Sequence, residues 1–269
     1  RRDGLLRCVP LGGWWGHTLL SQRVRIRTRA GGDVLGIIGS KPPHLLSKEE
    51  RTRVLDTDDM LIDIGAEDAA DVADRFGVGV GNSAVPDSPF VSLSPGEMVA
   101  CKAFDNRAGL SVMVQAMQLL RRESASGGVA ALGTVQEEVG ARGARAVIDS
   151  LEPDVAVVLE GAPADDLPGT PADERQGCLG NGVQLRLFDP TALMNRPLCT
   201  VVRDVSSRHG IPLQVAVRRS GGTDAREIQY AAGGVPTVVL GVPARYIHAH
   251  NSLVHLSDYT AAVQLVAQL

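Results

Sequence analysis

Residues 134–144 read TVQEEVGARGA, and residues 103–109 read AFDNRAG. In the first stretch an apolar run ends at two adjacent acids, Glu137 and Glu138, just ahead of Gly140 and Gly143. In the second, Asp105 closes a short segment and helix-forming sequence follows it. Carboxylates gathered where strands stop are costly unless something positive partners them. A divalent cation is the usual partner, so the pattern points to a metal site in an α/β framework. Glu137 and Glu138 then need distinct jobs: one ligates, and the other takes a proton from water as general base. Read alone, the pair could equally be solvated acids stabilised by the N-terminus of a following helix.

The chain changes character around Pro95-Gly96. Before that point, short apolar runs at 5–9, 23–28, 34–38 and 60–64 alternate with Gly, Pro and Asp, which reads as a small β-rich, barrel-like module. Helical spacing at 67–76 interrupts it. Beyond that point, residues 106–122 carry a broad apolar helical face, Leu110, Met113, Val114, Met117, Leu119 and Leu120. Strands are expected at 129–135, 154–159, 213–217 and 235–241, with helices at 144–149, 199–208, 224–232 and 257–269. Strands that are unbroken apolar runs between helices imply a mixed sheet covered by helices on both faces.

Further candidates fall at the ends of such strands, the usual place for sites in α/β sheets. Glu160 ends VAVVLE, and His248 lies in RYIHAHN beyond the strand TVVLGV. Oxygen ligands with one imidazole suit zinc, cobalt or manganese better than a thiolate site would.

The composition agrees with an ordinary soluble globular protein. Of 269 residues, 44% are hydrophobic and 22% charged, with 27 basic and 31 acidic residues for a formal charge of -4. Without a run of one sign, nothing favours nucleic acid or an anionic membrane as partner. The apolar runs are strand-length, too short to span a bilayer. The scattered Cys8, Cys101, Cys178 and Cys199 form no C-x-x-C motif, which reads as reduced thiols in a cytoplasmic protein.

Taken in order, AFDNRAG, TVQEEVGARGA, LEGAPADDLPG (159–169), SGGTDA (220–225) and VPARYIHAHNSLV (242–254) resemble the co-catalytic metal aminopeptidases of the glutamyl-aminopeptidase type. That group includes the tetrahedral aminopeptidases and proteins labelled cellulase M. GGWW (12–15) and IGSKPPHLL (38–46) resemble its inserted dimerisation domain, so the resemblance runs from about residue 4 to the last.

The resemblance implies a zinc-exopeptidase-like fold. Residues 1–97 would be the inserted β-rich dimerisation domain and 98–269 the metallopeptidase domain. It implies two divalent metal ions, with Asp105 bridging them. Glu138 and His248 would complete one site, Glu160 would belong to the other, and Glu137 would be the general base. It also implies a cis peptide between Asp105 and Asn106, and a substrate pocket lined by Gly222, Thr223 and Asp224. Peptides would be the substrates, and dimers would build a dodecamer. The family draws a further ligand from a His-x-Asp strand upstream of the inserted domain. These 269 residues hold no such motif; His17 and His44 stand in other contexts. On this reading the catalytic sheet lacks its first part.

Two other readings compete with peptide hydrolysis. One is a non-catalytic or truncated assembly subunit, a pseudoenzyme. The other is an endoglucanase, whose acids would face each other across a sugar. With two Trp, three Tyr and four Phe in the chain, sugar-stacking platforms are scarce.

Overall fold

The computed structural model describes residues 1–94, 96–123 and 127–269. It divides into two compact units, Arg1–Pro89 with His248–His250, and Phe90–Ile247 with Asn251–Leu269.

The first unit is built on a four-stranded antiparallel sheet: β1 (Arg23–Arg27), β2 (Asp33–Gly39), β3 (Leu61–Asp63) and β4 (Ala84–Pro86), in the order β3-β2-β1-β4. In β1 the sequence RVRIR alternates, so Val24 and Ile26 are buried while the arginines face outward. One of these, Arg25, pairs with Asp87. Val24 and Ile26 join Ile38, Met60, Ile62, Ile64, Val72 and Val78 in a single apolar cluster. The helix expected at 67–76 is the shorter α1 (Ala69–Asp74), fixed at its start by the Asp68 carboxylate accepting from the Asp71 amide.

The barrel-like expectation is corrected, because this sheet is open. β3 and β4 are its two ends, and no pairing among the described residues joins them. Each spans three residues, which leaves little backbone for closing a ring. The run expected at 5–9 contributes only an isolated bridge, Leu6 to Ile62.

The second unit opens with the hairpin β5 (Val91–Ser94) and β6 (Met98–Cys101), then α2 (Phe104–Glu123), α3 (Arg142–Val147) and β7 (Ala156–Pro163). After these come β8 (Val183–Asp189), β9 (Ala192–Leu193), α4 (Arg196–His209), β10 (Leu213–Val217), α5 (Ala225–Ile228), β11 (Thr237–Arg245), β12 (Ser252–His255) and α6 (Leu256–Gln268). The strands form one eight-stranded mixed sheet. β11 is its hub, parallel to β7 and antiparallel to β8 and β12. Residues 237–244 of β11 are all buried, so this strand is covered on both faces. The apolar core joins β7, β8 and β11 to α2, α4 and α6 through Val158, Leu185, Val239, Leu240, Val112, Val202 and Leu265.

Two sequence expectations change here. The apolar run 129–135 forms no strand: Val129 is 52% and Val135 64% exposed, and no described strand pairs with it. Conversely, β8 lies where none was expected. Its alternating Gln184 and Arg186 look like a solvent-facing row, yet both are buried, and Arg186 forms an ion pair with the fully buried Asp189 at 3.2 Å. The loop leading into β8 is anchored from α6, where the buried Asp258 carboxylate accepts from the amides of Gly180 and Gly182, both at 2.7 Å.

β7 and α2 approach each other closely. A Cβ on Gly161 would stand 2.6 Å from the Phe104 carbonyl oxygen and 2.7 Å from Asp105 Cα. Gly161→Ala should therefore destabilise the fold by roughly 1–3 kcal/mol, the usual range for overpacking. Gly39→Ala, where nothing lies within 4 Å of the added atom, should stay close to wild type. Urea unfolding midpoints of the two variants make the comparison, and equal midpoints would refute the close approach.

Candidate metal centre and active site

Asp105 sits at the entrance to α2, where it and Asn106 both depart from helical φ/ψ and the peptide bond between them is cis. The Asn106 side chain donates to the Leu159 carbonyl at 2.6 Å and accepts from the Gly109 amide at 3.1 Å. This bond fastens the start of α2 to the residue preceding Glu160. Gly109 belongs to the same junction, since a Cβ there would meet the Leu159 oxygen at 2.8 Å. The motifs DNRAG and LEG are thus two halves of one joint.

Glu137 and Glu138 lie in a tight loop before α3. The Glu137 carbonyl accepts from the amides of Gly140 and Ala141, both at 2.9 Å, and the Gly143 amide donates to the Val135 carbonyl at 2.9 Å. Gly143 has no room for a side chain, as its Cβ would fall 2.4 Å from that same oxygen. The glycines of EEVGARG therefore shape the loop that carries the acids.

Among the described residues, one group of side chains could hold a metal ion. Asp105, Glu138 and His248 each offer a ligand atom, and these atoms all lie within 4.8 Å of one another. Two carboxylates and one imidazole form a donor set that zinc, cobalt and manganese accept.

Glu160 lies outside that trio but within its field. Its side chain on β7 is 7% exposed, and it stands in register with Gly241 of β11, which is itself in register with Gln184 of β8. Burial raises the Glu160 carboxyl well above the usual carboxylate range, and the charges of Asp105, Glu137 and Asp224 push the same way against Arg186. Glu137 is pushed up to about 7, first by burial and then by Glu138, Asp224 and Asp105, with Arg226 opposing. Carboxyls crowded until they hold protons near neutrality make a favourable site for a cation, so the residues present fit one.

Gly222, Thr223 and Asp224 form the loop into α5. A Cβ on Gly222 would meet the Thr191 side chain at 2.8 Å, and the buried Thr223 hydroxyl accepts from the Ala225 amide. Asp224 is buried and takes a short hydrogen bond from the Thr134 hydroxyl. Sequence reasoning missed Thr134, Arg186 and Arg226. A polar residue inside the run ahead of Glu137 was the one available signal for Thr134.

Comparisons with known proteins place the chain among aminopeptidases. Residues 1–265 match the M42 glutamyl aminopeptidase family. The glutamyl aminopeptidase of Lactococcus lactis subsp. cremoris is 33% identical over 263 residues, covering 97% of this chain and 72% of that protein. The TET aminopeptidase from the marine sediment archaeon Thaumarchaeota archaeon SCGC AB-539-E09 superposes with a TM-score of 0.92 at 40% identity, over 100% of this chain and 75% of that one. The Pyrococcus horikoshii TET1 peptidase, described as able to assemble into a tetrahedron or a large octahedral shell, gives 0.85 at 30% identity over 100% and 77%. These likenesses favour peptide over glucan hydrolysis and an enzyme over a pseudoenzyme. A mixed α/β sheet, and the family match along nearly its whole length, show that this chain belongs to the M42 glutamyl aminopeptidase family and is a hydrolase of the aminopeptidase type.

Proposed function

We propose that the chain is a metal-dependent aminopeptidase that removes the N-terminal residue of short peptides. The observation that carries this reading is the convergence of Asp105, Glu138 and His248, in the field of a carboxyl poised near neutrality. In this reading those three residues would hold one divalent cation, and Asp105 and Glu160 would hold a second. Bound cations supply Lewis acidity to the peptide carbonyl and lower the pKa of nearby water. Glu137 accepts a proton from the attacking water and returns it to the departing amine, a role that suits a group titrating near 7. Gly222, Thr223 and Asp224 line the substrate pocket. The β-rich residues 1–97 serve assembly, and the subunits form a homo-oligomer built from dimers into a dodecamer. Among the described residues no helix is long and apolar enough to cross a membrane. All four cysteines are free. Both suit a cytoplasmic enzyme in this reading.

Glu137→Gln keeps size and hydrogen bonding but cannot take a proton. Activity on aminoacyl anilides should fall by about 10²–10⁴-fold while metal content by elemental analysis stays unchanged. Loss of metal instead would make Glu137 a ligand and exchange its role with Glu138. Asp105→Ala should strip metal from both sites, whereas His248→Ala should weaken mainly one, because only the shared carboxylate offsets repulsion between two ions.

Stability should depend on pH in a defined direction. Glu137 rises from an ordinary 4.5 to about 7 in the folded chain, so its contribution is fully present below pH 4.5 and is lost as pH climbs through 7. Urea midpoints of chelated protein should therefore fall across that window. Added zinc or manganese should restore them most at the alkaline end. A chelated protein whose midpoint rises across the window would contradict the site. Finally, light scattering should find a species well above the monomer mass, and a monomer alone would remove the assembly role from residues 1–97.

A further inference from the structure

Asp224 is a buried acid of the second unit whose carboxylate is only half satisfied. It is 7% exposed; one carboxylate oxygen accepts from the Thr134 hydroxyl, and the other, Oδ1, is buried with no hydrogen-bond partner among the described residues. A buried carboxylate oxygen left in that state carries a desolvation penalty with nothing to offset it. The loop cannot easily turn it out to solvent, because Gly222 is pressed against Thr191 and Thr223 is 1% exposed. Its nearest sequence cation is engaged elsewhere, with Arg226 Nε donating to Glu227 at 3.2 Å.

The placement of this acid relative to the chemistry is informative. Its charge acts on both Glu137 and Glu160, so it lies within electrostatic reach of both. Thr134, which holds it, belongs to the segment that carries Glu137. Yet Asp224 stands outside the group of side chains whose ligand atoms converge for a metal. Oδ1 is thus open to a donor that arrives beside Glu137, and a carboxylate oxygen takes a cationic donor most strongly. An aminopeptidase substrate always brings one, the ammonium at its N-terminus, one residue from the bond to be cut.

Building on the aminopeptidase reading, we infer that Asp224 is the specificity-determining residue that receives the α-ammonium group of the peptide, with Thr134 fixing the carboxylate so that Oδ1 is the free face. A substrate held this way presents its first peptide carbonyl in one register. A peptide blocked at its N-terminus, or a sequence entering from the middle, leaves Oδ1 unpaired and is rejected.

The test begins by finding which aminoacyl anilide the wild-type metal-loaded enzyme cleaves best. Calorimetry then measures binding of the corresponding amino acid amide and of its desamino analogue, which has the same skeleton without the amine. The wild type should bind the amine-bearing amide roughly ten- to a hundredfold more tightly, the scale of a hydrogen bond to a charged group. In Asp224→Asn that ratio should collapse toward unity, with affinity for the desamino compound and metal content little changed. A merely structural role would weaken both ligands together and leave the ratio intact, which overturns the inference. If Asp224→Asn does not fold, Asp224→Glu decides, since it keeps the charge but displaces it: the ratio should drop, and an unchanged ratio overturns the inference. A wild type that cleaves no aminoacyl anilide would bring down the aminopeptidase reading itself and this inference with it. A preserved ratio in an active enzyme removes the inference alone.

Discussion

Like charges held close together are the constraint on which this structure turns. Burial, and after it the charges of Asp105 and Asp224, raise the proton affinity of Glu137 and Glu160, and Arg186 and Arg226 relieve only part of that pressure. A chain left to its own electrostatics would spread these groups apart. They stay together because backbone geometry overrules them: the Asn106 tie from the mouth of α2 to β7, glycine-shaped turns before α3, and a strand buried on both faces beside Glu160. The sheet contributes rigidity, and the loops convert it into crowding. Such a site is unfavourable when empty of positive charge and favourable once a cation enters, the arrangement expected when folding energy is put into function.

Much of this was legible in the residues, and the reasons differ from place to place. Asp105, Glu137 and Glu160 could be found because each closes an apolar or short segment and is followed within a few residues by glycine, although β7 runs on to Pro163, so Glu160 lies inside its strand and not at its end as expected. The ordered motifs then identified the family. The sheet was legible where strands are continuous apolar runs, as in β7 and β11. It was illegible in β8, because burying Gln184 and Arg186 depends on partners such as Asp189 and Gln176 that only the fold brings near. The apolar run at 129–135 misled in the opposite sense, since apolar residues make a strand only where a neighbouring strand is available to share its ladder. The barrel-like expectation failed for a related reason: alternation shows which face of a strand is buried, and says nothing of whether the two edges of a sheet meet.

Around the site, the second unit uses buried and half-buried acids as fasteners. Asp258 holds the loop at 180–182, Asp165 accepts from the amides of Gln176 and Gly177 and from Arg218, and Asp166 is bidentate with Arg245. These carboxylates are satisfied by backbone amides and guanidinium groups, whereas Asp224 keeps one buried oxygen without a hydrogen-bond partner among the described residues. The contrast separates two uses of the same side chain: one closes a loop, the other is held ready for a donor that comes from outside.

The absence of a side chain at Gly161 has a consequence beyond packing. Because Asp105 backbone atoms rest where a Cβ would stand, the start of α2 and the end of β7 behave as a single mechanical part. A thermal displacement of one element carries the other with it, so the separation between Asp105 and Glu160 is steadier than the position of either. Inheritance is bound in the same way: a substitution that nudges β7 is felt at once in AFDNRAG, and the two motifs are free to drift only in step.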